Sequence, residues 1–221
     1  MVRKHFFSMM ALASVLVTYA QGQGKSWDNQ VTQAAALIKG NPEAAEDAFE
    51  SLLKGANKKN VDLLVDIGEA YLKEGDVKTA QEYADRAKEV NRRCADAYVL
   101  SGDVAIAKND VNRASSEYNQ AIYFDENCSE AYLKYADVYQ WVNPQLSIEM
   151  LERLDKKTPD DPRVDRQLGE VYYGMGEYGK AIEAYDDYME TSAPEVITER
   201  LMLFYPCLKT VILLQRISKK A

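Results

Sequence analysis

Four pairs of residues recur at a separation of 34: Gly68 and Gly102, Ala80 and Ala114, Ala87 and Ala121, Cys94 and Cys128. One unit is therefore repeated in register, 61–94 followed by 95–128. Each unit divides at a short polar turn, Lys73-Glu-Gly-Asp76 or Lys108-Asn-Asp110, into two stretches with apolar residues at helical spacing. A helix of about 13 residues with one apolar stripe cannot bury that stripe alone, whereas stacking on the next pair buries it. The period predicts an all-α solenoid of antiparallel helix pairs.

The residues inside each unit resemble the tetratricopeptide repeat family. Its motif asks for a large residue, Leu, Gly or Ala, and Tyr in the first helix, then Ala, an aromatic and Ala in the second, with a closing Pro. Unit 162–195 supplies Leu168, Gly169, Tyr172, Ala181 and Tyr185, with Pro194 one place late. Unit 61–94 supplies Leu64, Ile67, Gly68, Tyr71, Ala80 and Ala87, but carries Ala84 where the aromatic is usual, and Tyr83 sits one place early. Unit 95–128 has Tyr98, Gly102, Ala114, Tyr118 and Ala121. Unit 129–161 runs Tyr132, Tyr135, Ala136, Tyr139 and then drifts by one residue through Ser147, Leu151, Leu154 and Pro159, which predicts a turn at Val142-Asn-Pro-Gln145 one residue short. Residues 21–60 read as a degenerate first pair, Ser26 to Lys39 and Pro42 to Lys54, with Pro42 in a first turn and Ala45, Phe49 and Leu52 buried. The resemblance implies a right-handed superhelical solenoid that works as a protein-protein interaction module or scaffold, not an enzyme.

In that family, positions 2, 5, 9 and 12 of the first helix line the concave groove. Here position 9 is acidic in every unit, as Glu69, Asp103, Asp137 and Glu170, beside Val65, Val99, Leu133 and Arg166 at position 5 and Leu72, Ile106, Gln140 and Tyr173 at position 12. Position 2 holds Asp62, Asp96 and Glu130 and then Arg163; acids in a first helical turn complement the helix dipole and need no partner to explain them. An acidic ladder beside an apolar track suits a basic or amphipathic segment of another protein, and a polar face kept soluble is the other reading. Acidic C-terminal tails are expected to bind poorly.

Chemistry is scarce. Gly174-Met-Gly176-Glu-Tyr-Gly179 satisfies a dinucleotide-binding pattern, but it follows an amphipathic helix, not a strand, and occupies the place of the turn at 73–76. The single histidine is His5, so no triad, zinc site or imidazole base is expected after it, and no cofactor is expected either. Cys94 and Cys128 should lie one helix layer apart, about 8–10 Å, which is too far for a disulfide. Asn127-Cys-Ser129 fits a glycosylation acceptor.

The two ends differ from the repeats. Residues 1–20 have early bases, the apolar run Phe6 to Val17 and small residues at Thr18 and Ala20, the pattern of a cleaved export signal, so the periplasm, cell envelope or exterior is the expected location. Removing Arg3 and Lys4 leaves 25 bases against 35 acids, an acidic balance that disfavours nucleic acid. The tail, 196–221, is apolar and basic: 201–217 holds 12 apolar residues of 17, broken by Pro206 and Lys209. It is compatible with a closing helix, an interfacial membrane segment, a docking patch or an altered frame truncating a longer array. A membrane-associated structural assembly component of the envelope, held through this tail, is the alternative function.

Overall fold

The computed structural model describes residues 25–191. The expected export signal, the tail at 196–221 and Cys207 lie outside the described residues. Ten α-helices run in sequence: α1 Asp28–Ala35, α2 Pro42–Leu52, α3 Val61–Lys73, α4 Val77–Val90, α5 Ala95–Ala107, α6 Val111–Phe124, α7 Ser129–Tyr139, α8 Pro144–Asp155, α9 Pro162–Gly174 and α10 Tyr178–Thr191. No strand occurs among the described residues, and the helices form a solenoid of pairs.

Local chemistry sets the boundaries. Asn60, Asp76, Asp110 and Asn143 each accept a hydrogen bond from the backbone N–H three residues on, at 3.0–3.3 Å, and so cap α3, α4, α6 and α8. Pro42, Pro144 and Pro162 stand in first turns, where the missing N–H costs nothing. Three helices end the same way: Gly75, Asn109 and Gly176, equivalent in their units, take φ of 91°, 59° and 77°. In each case the next N–H returns to a carbonyl of the last helical turn, from Asp76 to Tyr71, Asp110 to Ala105 and Glu177 to Tyr172. The GxGxxG string is thus a helix-ending turn, as its position implied.

The pairs lock through small residues. Ala80, Ala114 and Ala181 are completely buried where the two helices of a pair cross. A Cβ on Gly102 would lie 2.3 Å from the Tyr118 ring, and one on Gly169 would lie 2.5 Å from the Tyr185 ring, so each glycine makes room for its own unit's aromatic. Unit 129–161 trades the pair: Ala136 replaces the glycine and Leu151 the aromatic, both wholly buried in one cluster. The drift expected there is real, since Ser147 takes the crossing position and donates a 2.9 Å hydrogen bond to the Ala136 carbonyl.

Unit 61–94 solves the same problem differently. With Ala84 at the aromatic position, the space over Gly68 is filled by Leu100 of the following unit, whose Cδ2 would lie 2.5 Å from a Cβ there. Tyr83, one residue earlier and therefore about 100° round the helix, stacks on Tyr71 instead at 5.6 Å. The link from α2 to α3 is also the longest between pairs, residues 53–60 with a 3-10 turn at Gly55–Lys59, against 91–94 and 125–128.

Candidate interaction surface

The first helices α3, α5, α7 and α9 lie side by side and are tied to one another. Gln167 of α9 donates a 3.0 Å hydrogen bond to the Leu133 carbonyl of α7, a buried contact. Arg163 of α9 pairs with Glu130 of α7 at 3.0 Å, and Lys134 of α7 pairs with Asp103 of α5 at 3.3 Å. The helix spacing that makes a solenoid thus brings the position 9 acids into one row.

Within the row the rungs differ. Asp103 accepts a 2.7 Å hydrogen bond from the Tyr118 hydroxyl as well as facing Lys134. Glu170 pairs with Arg166 at 2.7 Å, one turn away on the same helix. Asp137 accepts from the Gln140 amide. Glu69 alone has no hydrogen-bond or ion-pair partner among the described residues. Surrounding protein pushes its carboxyl above the ordinary value, aided by Asp66, Asp103 and Asp96 and opposed by Lys25. Its side chain is nevertheless exposed to water.

The apolar track is shallower than the spacing suggested. Val65, Val99 and Leu133 are only 4%, 5% and 7% exposed and belong to the core, so position 5 forms a floor. The accessible apolar surface comes from position 12, where Ile106 and Tyr173 are each 40% exposed and Leu72 is half-buried, with Gln140 between them. Arg166 breaks the floor at the last unit.

Reading positions 2, 5, 9 and 12 missed position 6. Lys134 and Gln167 stand there and tie the row together, and Asp66 stands there in α3. Lys25 pairs with Asp66 at 2.6 Å, and the Trp27 indole N–H donates to the same carboxylate at 2.7 Å, fastening the start of the described chain to α3. The signal was present in the spacing of Glu130 and Lys134, four apart on one helix.

Cys94 and Cys128 are free thiols at the starts of α5 and α7, and burial pushes both upward in pKa. Asn127 is exposed in the turn before α7. Among the described residues there is no group of His, Cys, Asp and Glu able to hold a metal ion, and no helix long and apolar enough to cross a membrane.

Residues 36–101 match one tetratricopeptide repeat family model and residues 95–128 match another. Residues 36–128 carry tetratricopeptide repeats. Solved structures with the same fold include a thermophilic TPR protein of Thermus thermophilus, 20% identical over 84% of this chain and 100% of its own, with a TM-score of 0.65. PilF of Pseudomonas aeruginosa is 18% identical over 84% of this chain and 83% of its own, with a TM-score of 0.63. MamA is 23% identical over 73% and 91%, with a TM-score of 0.55. No curated protein matches the chain in sequence. At these identities the likeness is one of fold. Tetratricopeptide repeats of this kind support an interaction scaffold.

Proposed function

We propose that this chain is a scaffold whose first-helix face takes a basic or amphipathic segment of another protein. The observation that carries the reading is the row of position 9 acids, above all Glu69, an exposed carboxylate without a partner beside three further acids. A lysine or arginine entering there would relieve that repulsion, while Ile106 and Tyr173 offer apolar contact further along. Ion pairs with Lys134 and Arg166 weaken the field at Asp103 and Glu170. The unit 61–94, around Glu69, is therefore the preferred landing place.

The test is a titration of the intact protein with a basic amphipathic peptide and a length-matched acidic one. The basic peptide should bind with an affinity that falls as salt rises, and Glu69→Gln should weaken it about fivefold, the scale of one partly exposed ion pair. Tight, salt-insensitive binding of the acidic peptide would sink the proposal.

Export to the envelope or exterior is part of the same reading and rests on residues 1–20. The membrane-associated alternative rests on the 12 apolar residues of 201–217. Washing membranes with high salt and carbonate separates the two: release supports the soluble scaffold, and retention supports tail anchoring.

A further inference from the structure

A cleft of about 620 Å³ opens on the second-helix side, between α2 and α4, and none of the first-helix row residues lines it. Its wall exists because of the displaced aromatic described above. Tyr83 and Tyr71 stack in parallel at 5.6 Å and 19°, Tyr71 leans on Phe49 at 5.2 Å, and the two tyrosines are 5% and 6% exposed. In units 95–128 and 162–195 the equivalent ring is spent on filling the glycine notch, and no such wall forms.

Five carboxylates and two cations line this cleft, so it is acidic overall. One cation already shows what the wall accepts: the Arg86 guanidinium lies 4.6 Å from the Tyr83 ring centre and pairs with Glu50 at 3.3 Å. The other, Lys39, pairs with Glu74 at 2.9 Å on a side chain 73% exposed. Glu46 has no ion-pair partner among the described residues, and the hydroxyl of the deeply buried Tyr71 makes no hydrogen bond among them. That hydroxyl is open to the cleft and can accept a hydrogen bond from a cation entering it.

We propose that this cleft is a second recognition site, taking a lysine or arginine side chain of a partner protein between the Tyr71 hydroxyl and Glu46. A cation beside a carboxylate and a phenol oxygen gains from both, while the ring faces themselves are taken up by Phe49, by each other and by Arg86. The volume is far larger than a bare metal ion needs, and the acidic lining repels phosphate. An extended basic segment fits both the size and the sign. The site is separate from the first-helix row, so a partner engaging both would hold the scaffold by two faces.

The experiment follows the tyrosine ring and backbone signals of the intact protein by NMR during titration with acetyl-Leu-Arg-Leu-amide, and with acetyl-Leu-Gln-Leu-amide as the neutral match. The arginine peptide should shift the Tyr71 and Tyr83 ring signals saturably and the glutamine peptide should not. Glu46→Gln should weaken the binding seen at those rings about fivefold. Tyr71→Phe should weaken it also, while Glu69→Gln in the first-helix row should leave it unchanged. Glu46 is exposed and Tyr71→Phe removes one oxygen, so unchanged melting of both variants keeps the reading independent of folding. Unmoved ring signals, equal response to the glutamine peptide, or wild-type affinity in Glu46→Gln would each overturn the proposal. Loss through Glu69→Gln alone would assign the peptide to the first-helix row and overturn it too.

Discussion

Tyr118 reaches from α6 across Gly102 to donate a 2.7 Å hydrogen bond to Asp103 on α5, so one side chain fills the helix crossing and steadies a rung of the acidic row. The ring is 1% exposed and has nowhere to swing. Gly102→Ala puts a methyl 2.3 Å from that ring and is expected to cost about 1–3 kcal/mol by overpacking, read from urea unfolding. The double variant Gly102→Ala with Tyr118→Leu copies the Ala136 and Leu151 pairing of unit 129–161 and should recover part of that loss. Additive losses in the double variant would show that the two positions do not share the space.

Ala181 is wholly buried where α9 meets α10. Ala181→Leu should lower stability by about 1–3 kcal/mol, since the crossing offers no free volume. A melting temperature equal to wild type would place the crossing elsewhere.

Ser101 is completely buried and its hydroxyl has no hydrogen-bond partner. Ser101→Ala removes an uncompensated polar group and adds helix propensity, so unlike most core truncations it should stabilise, by about 1 kcal/mol. Denaturant unfolding decides the sign, and a destabilised variant would mean that the hydroxyl finds a partner in solution.

Burial pushes the Asp165 carboxyl up to about 6, with repulsion from Asp187, Asp155 and Asp161 adding to it. Its folded-state value lies above its unfolded one, so the folded chain holds this proton more tightly. The stabilisation from protonated Asp165 is full below the unfolded value of about 4 and is lost as the pH rises toward 6. Asp165→Asn should therefore be more stable than wild type at neutral pH, and the gap should close on acidification to about pH 4. A gap independent of pH would remove Asp165 as its source.

Much of this architecture was legible because it rests on short-range rules repeated in register. The Gly75, Asn109 and Gly176 turns follow from which residues tolerate positive φ, and the Asp and Asn caps follow from orphan N–H groups at helix starts. The one-residue drift at Ser147 was readable too, because spacing is a property of the string. The row of Glu69, Asp103, Asp137 and Glu170 was legible as residues but not as a field. Lys134 neutralises Asp103 from the next helix across, and that pairing depends on how adjacent helices are offset.

What the sequence by itself determined was the helix pair, its 34-residue period and the small residues at each crossing, because helical periodicity and steric volume act locally and identically in every copy. Tertiary structure alone decided where the exception led. Ala84 and Tyr83 looked like a motif one place out of step, yet packing passed the glycine notch to Leu100 of the next unit and released Tyr83 to stack on Tyr71. The physical reason is that a close-packed interior must fill every notch, and which side chain fills it depends on neighbours that are distant in the chain.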